Sequence, residues 1–297
     1  MRRFVLAAVA VAVLGAAGGC ATPAGVDKDL VDDWAMMAEA KVPEPAEGDC
    51  WNTDVSQLDD VVPTRLTQMP CEMQHMFETV HVGHFTGNEA DGTLPPTEGS
   101  LAKAYAECDG AAKTYLGNAW QAGRVHLLVQ TPTKAQWAGG GRFFRCDVVA
   151  LRTELGTLEP RRETFKDTLK AGGELALTCG AIVGLDSNGA WDDISPASCT
   201  APHDVEFVGV VNAKTTTYPS DGKTLESAFS DVCEQQLMSY IGMSASHFAK
   251  QKALLYGYWM MASQAEWKAG NRTARCYAMI DKKKISRSLK GAGNIAI

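Results

Sequence analysis

The stretch Cys199-Thr-Ala-Pro-His203-Asp-Val-Glu206-Phe-Val-Gly209 decides how this chain is read, because its skeleton has already occurred once. Cys71, His75 and Glu78 stand at the same spacing. Farther on, Trp137-x2-Gly140-x-Arg142-x2-Arg145-Cys146 returns as Trp267-x2-Gly270-x-Arg272-x2-Arg275-Cys276. Between these marks, Cys108, Tyr115 and Gly117 return as Cys233, Tyr240 and Gly242. The offset stays between 125 and 130 residues, and each copy holds four cysteines. Recurrence at a steady period is the signature of one structural unit used more than once. The chain therefore reads as two homologous domains, residues 48–173 and 174–297.

Each copy carries the same run of periodicities. Phe77 to Gly83 alternates as a strand should, with Glu78, Val80 and Val82 on one side, and Val205 to Val211 answers it. Leu101, Ala104, Cys108, Ala112, Tyr115 and Leu116 recur at helical spacing, as do Leu225, Phe229, Val232, Cys233, Leu237, Tyr240 and Ile241. Gly117 and Gly242 sit where a left-handed helix cap belongs. Strands follow at Val125 to Gln130 and Leu254 to Met260, and again at Arg142 to Leu151 and Arg272 to Ile280. Thr168-Leu-Lys-Ala-Gly-Gly173 and Ser288-Leu-Lys-Gly-Ala-Gly293 close the two copies alike. The expected fold is α+β: two tandem disulfide-stabilised domains, each a small, mostly antiparallel sheet with one main helix.

Residues 1–19 have the layout of an export signal: Arg2 and Arg3, an apolar run from Phe4 to Leu14, then small residues. Ala17-Gly-Gly-Cys20 resembles the lipobox of bacterial lipoproteins, which implies cleavage before Cys20 and a lipid on its sulfur. Residues 20–47, with Pro23, Pro43 and Pro45 and several acids, read as a tether in which Val26 to Ala40 has room for a short helix. The formal charge of −7 becomes −9 once Arg2 and Arg3 are removed. That excludes the overall basic footprint of a nucleic-acid binder. The basic run Lys282 to Lys284 reads as a solvated turn. Nine cysteines less the lipidated one leave eight, an even set that reads as disulfides in an exported protein. Three pairings per copy are open. Cys50–Cys71 with Cys108–Cys146, and Cys179–Cys199 with Cys233–Cys276, tie neighbouring elements and are favoured.

The recurring Cys-His-Glu set is the first candidate for chemistry, since zinc accepts all three residue types. Paired cysteines offer no thiolate, however. In extended chain, His75 and Glu78 fall on opposite faces. No further histidine is shared either: His81, His84 and His126 belong to the first copy and His247 to the second. No cofactor and no metal are expected. Nor is there a Gly-x-Ser-x-Gly elbow, a His-Glu-x-x-His pair or a phosphate loop, so no catalytic residue is assigned. His75, Glu78, Trp137 and Arg142, with His203, Glu206, Trp267 and Arg272, are read as one network per copy, supporting the fold or touching a ligand. Arg142 is expected on Glu78 and Arg272 on Glu206.

Gly48-Asp-Cys-Trp51, the Cys199-to-Gly209 stretch, the Trp267-to-Cys276 motif and Ser288-Leu-Lys-Gly291 together resemble the septum-formation domain of actinobacterial envelope lipoproteins. The resemblance covers nearly all of residues 48–297, and its second copy is the closer. It implies a place near the division septum or cell wall, and it brings no catalytic residues. The expected protein is thus a lipid-anchored binding or scaffolding module on the outer face of the cell membrane, and not an enzyme. Its expected partners are an envelope or divisome protein or a cell-wall component. A metal-assisted envelope hydrolase and an accessory or sensory subunit of a membrane complex are the alternatives.

Overall fold

Phe77–His84 and Phe143–Leu151 are rich in the β-branched and aromatic residues that suit a pleated surface, and they form the centre of the first sheet as β3 and β5. The computed structural model describes residues 41–61, 65–154 and 156–297. Residues Lys41–Ile297 make one compact unit. The leader, the lipid on Cys20 and the short helix from Val26 to Ala40, all three expectations from the sequence, fall outside the described residues.

The remaining strands of the first sheet are β1 (Cys50–Asn52), β2 (Thr67–Met69), β4 (Val125–Gln130) and β6 (Leu158–Glu159). Their order is β2-β1-β3-β5-β4, with β6 added on β5, and every pair is antiparallel. The second sheet contains β7 (Cys179–Val183), β8 (Asp193–Ala197), β9 (Val205–Asn212), β10 (Leu255–Met261) and β11 (Thr273–Ile280). Its order β8-β7-β9-β11-β10 repeats that of the first sheet position for position, again antiparallel throughout.

One long helix lies on each sheet. In α1 (Ala102–Leu116), Ala104, Cys108, Ala112 and Leu116 form a buried stripe at four-residue spacing. The next short helix is α2 (Lys134–Ala138). In α3 (Gly222–Ile241), the stripe is Phe229, Cys233, Leu237 and Ile241. Gly117 (φ 83°) and Gly242 (φ 76°) end the long helices in the left-handed conformation, as expected. Two more short helices, α4 (Ala245–Gln251) and α5 (Gln264–Lys268), follow in the second half. Short helices escape a periodicity reading because one turn and a half holds too few apolar positions to show a stripe.

The structure contains the favoured disulfides: Cys50–Cys71, Cys108–Cys146, Cys179–Cys199 and Cys233–Cys276. The second and fourth pin each long helix to the central strand beneath it, and all four of their cysteines are fully buried. Replacing both Cys233 and Cys276 by alanine will cost roughly 3–4 kcal/mol through the entropy regained by the unfolded chain. The check is the urea midpoint of the variant against the parent under non-reducing conditions.

Two sequence readings need correction. The pairing of β3 with β5 shifts between Thr79 and His81, a bulge at Val80. The shift between β9 and β11 skips Val208 in the same way. An extra residue reverses the alternation beyond it. So Gly83, rather than Val82, faces α1, where an added Cβ would lie 2.7 Å from Glu107 Oε1. The second correction concerns the closing echo. Thr164-Phe165-Lys166-Asp167, not Thr168 onward, occupies the place of Ser288-Leu289-Lys290-Gly291. Asp167 N bonds Tyr115 O as Gly291 N bonds Tyr240 O. Asp167 also adopts the left-handed backbone (φ 64°) that Gly291 adopts at φ 67°. A short polar side chain tolerates that conformation better than most, which hides the equivalence from a glycine-matching eye.

Candidate functional site

The repeated histidine and glutamate form the polar centre of each half. Glu206, on β9, is completely buried. Its carboxylate accepts from His203 Nε2 at 3.0 Å, Tyr240 OH at 2.9 Å, Ser288 Oγ at 3.0 Å and Leu289 N at 2.7 Å. Glu78, on β3, accepts from the Tyr115 hydroxyl, from Thr164 Oγ1 at 2.8 Å and from Phe165 N at 2.7 Å. A buried carboxylate without partners is costly, and several donors converging on it offset that cost. The strand is thereby tied to the end of the long helix and to the closing segment. Burial, then the carboxylate beside it, pushes the Tyr115 phenol up to about 12. Burial does the same for Tyr240, also to about 12. The two tyrosines therefore remain donors.

The histidines seal the same turn. His203 and Ile285 exchange backbone hydrogen bonds, as do His75 and Arg161. Each ring donates from Nδ1 to a carbonyl two residues back: His203 to Ala201 O at 2.8 Å and His75 to Met73 O at 2.9 Å. His203 precedes β9 and is not part of it. Its ring folds over to meet Glu206, contrary to the opposite-face geometry expected for extended chain. His75 Nε2 is buried with no partner among the described residues.

Ligand atoms of Cys179, His203 and Glu206 lie within 4.8 Å of one another. The donor set does not fit a metal. Cys179 is bonded to Cys199, and both Glu206 oxygens are already accepting. The disulfide supplies no thiolate, which is the form of cysteine that binds zinc.

The tryptophans and arginines form a separate corner. Trp137 and Trp267 are buried on α2 and α5, and their indoles donate to Gly92 O at 2.7 Å and Thr216 O at 2.9 Å. Capping boxes start both helices, Thr133 with Gln136 and Ser263 with Glu266. Arg142 lies 4.1 Å above the Trp137 ring and donates to Ala90 O and Trp137 O at 2.7 Å each. Arg272 is exposed, and its backbone carbonyl receives Ala213 N. Neither arginine reaches the glutamates, so the single network expected in each half is two: a carboxylate knot and a tryptophan corner.

The last arginine of the motif, passed over in the sequence reading, does the most varied work. In the first half Arg145 stacks 3.7 Å from the Trp51 ring and donates to buried Asp147 at 2.7 Å. Burial raises the Asp147 carboxyl, and Arg145 and Thr79 hold it down only in part. In the second half the position of Asp147 is Tyr277, and Arg275 turns outward to the first half. It donates to Gln121 O at 2.9 Å, Gly123 O at 2.9 Å and Val125 O at 3.0 Å, and pairs with Glu154 at 3.1 Å. Tyr277 OH donates to the same Glu154 oxygen at 2.7 Å. Gly123 bridges Ala176 in the connecting segment, and Leu175 belongs to the first core.

This junction opens into a cleft of about 330 Å³. Its walls include the turn at Leu58 and Asp59, His126 of β4, Met260 and Met261 of β10, and Glu266 of α5. Burial holds the His126 imidazole below its usual value, Glu266 opposing the shift and Arg275 adding to it. His126 Nε2 stands 3.5 Å from Glu266 Oε1. His126 was visible only as an unshared histidine, because nothing local in the sequence brings it to Glu266.

The fold and these sites define a disulfide-bonded α+β protein with two antiparallel sheets, few helices and a polar cleft between its halves. A family model described as "Septum formation" matches residues 47–276, and the chain belongs to that family. No curated protein and no solved structure matches it.

Proposed function

We propose that this protein is a lipid-anchored binding or scaffolding module, two tandem copies of one unit, acting in septum formation on the outer face of the cell membrane. The family match carries the septal part of that reading. Two sheets with the same strand order and equivalent disulfides support duplication of one unit. Four disulfides favour an oxidising, extracytoplasmic location. Among the described residues no helix is long and apolar enough to cross a membrane. A lipid on Cys20 is the anchor that the leader motif provides. Binding is favoured over catalysis because the repeated polar residues are spent on holding strands, caps and turns together.

Replacing Cys20 by alanine will shift the protein from the membrane fraction to a soluble or unprocessed form. Unchanged membrane partition with normal processing ends the lipoprotein reading. The septal role is tested by crosslinking in living cells and by locating a tagged full-length chain. Enrichment at division sites, with a wall or division component attached, supports it. Uniform distribution and normal septa after depletion overturn it.

A further inference from the structure

The first sheet carries a cavity of about 480 Å³ on the face opposite α1. Trp51 of β1, Phe143 and Arg145 of β5 and Gln130 at the end of β4 line it, together with Pro43 and Pro45. Phe143 and Arg145 belong to that face because they alternate along β5 with Cys146, which is bonded to Cys108 of α1. The volume lies in the range of small-molecule sites.

Two buried polar side chains meet this space with bonding capacity unspent. Gln130 is only 6% exposed, and its carboxamide has no hydrogen-bond partner among the described residues. A buried side-chain amide without a partner is uncommon in a folded protein. Arg145 is 8% exposed and gives its Nε to Asp147 at 2.7 Å. Neither of its terminal nitrogens makes a hydrogen bond among the described residues. Asp147 accepts from Thr79 Oγ1 as well, at 2.7 Å, so its needs are met without the outer edge of the guanidinium. Among the described residues that line the cavity, Arg145 is the one cation, and the one carboxylate, Glu44, is engaged with His84 at 3.3 Å.

The spacing of the two groups adds a second constraint. Gln130 and Arg145 are direct partners across β4 and β5, and such partners share a face with Cβ atoms roughly 5 Å apart. That is close to the separation, in a peptide, between the terminal carboxylate and the residue before it. In extended chain the N–H and C=O of one residue point to the same side. A carboxamide has a donor and an acceptor side by side to meet them. The free edge of a guanidinium fits a carboxylate with two parallel hydrogen bonds.

We propose that this cavity binds the carboxyl terminus of an extended peptide, with the carboxylate on the terminal nitrogens of Arg145 and the penultimate N–H and C=O on the Gln130 carboxamide. The last side chain lies toward Trp51 and Phe143. The inference deepens the reading of the chain as a binding module and rests on it, but not on the lipid or the septal location. Its failure would leave that reading standing, because crosslinking in cells tests the module without this ligand.

The test titrates purified full-length protein with Nα-acetyl-L-alanyl-L-alanine, with the C-terminal amide of the same dipeptide and with acetate, read by calorimetry. The expected result is one saturable site per chain for the acid, with at least tenfold weaker binding of the amide and of acetate. Gln130→Leu will weaken binding of the acid tenfold or more. Its urea midpoint will be no lower than the parent's, since the side chain gives up no hydrogen bond within the fold. Arg145→Lys keeps the charge but not the fork, and will weaken binding by a similar factor. If that variant fails to fold, Gln130→Leu decides alone. Absence of saturable binding, equal affinity for acid and amide, or full affinity in Gln130→Leu overturns the proposal. Acetate bound as tightly as the dipeptide reduces the site to one for a simple anion and overturns it too. A lowered midpoint in Gln130→Leu does the same, because the carboxamide is then spent inside the protein.

Discussion

Replacing Glu206 by alanine will destabilise the protein by about 3–5 kcal/mol, the range expected when one member of a buried, charge-assisted set is removed. Four donors lose their acceptor together: the His203 ring, the Tyr240 hydroxyl, the Ser288 hydroxyl and the Leu289 amide. Removing one donor is milder. His203→Ala and Tyr240→Phe will each cost about 1–3 kcal/mol. Glu78→Ala will follow Glu206→Ala at somewhat smaller size, because no bond joins His75 to Glu78. Urea unfolding of the series measures this order. A Glu206→Ala protein within 1 kcal/mol of its parent would defeat the structural role given to the knot. Stable variants that lose crosslinking or septal location would move these residues from support to recognition.

Arg275→Ala is expected to cost a similar amount, about 3–5 kcal/mol, and to act between the halves rather than within one. Among the described residues it leaves the buried Glu154 carboxylate with only the Tyr277 hydroxyl, and it strips donors from Gln121 O, Gly123 O and Val125 O. Lysine will restore only part of this, because one ammonium cannot reproduce a planar fork of donors. The neighbouring Arg272→Ala will change stability by no more than about 0.5 kcal/mol, since Arg272 is exposed. Loss of the link will also open the connecting segment near Ala176 to limited proteolysis. If Arg275→Ala and Arg272→Ala prove alike in stability and in cleavage, the junction is not held as described.

These contrasts mark how far the residues could be read in advance. The repeat, the long helices with their glycine caps and the central strands were legible because each leaves a local mark at period 2, period 3.6 or a fixed spacing, whereas the disulfide pairing was favoured among three that the sequence leaves open. The donors to the glutamates were not. Tyr115 lies 37 residues from Glu78 and Thr164 lies 86 away. The recurring Tyr115 and Tyr240 were a usable signal, since a tyrosine kept at the end of both helices calls for a polar partner. The real counterpart of Ser288-Leu289 was hidden because Asp167 fills a left-handed position where Gly291 stands in the second half.

The amino-acid sequence by itself determined the repeated plan: which segments become strands and helices, that four cysteines fall in each copy, and which carboxylates recur. Those outcomes depend on side-chain periodicity and on conformational limits of single residues. The tertiary structure alone decided what the recurring polar groups touch. It turned one motif arginine inward, toward Asp147 and Trp51, and its counterpart outward, onto the carbonyls and Glu154 of the other half. It also set His126 beside Glu266 at the junction. Hydrogen-bond partners and cleft walls come from distant segments, and their meeting depends on how two already folded surfaces fit, which no local spacing in the chain records.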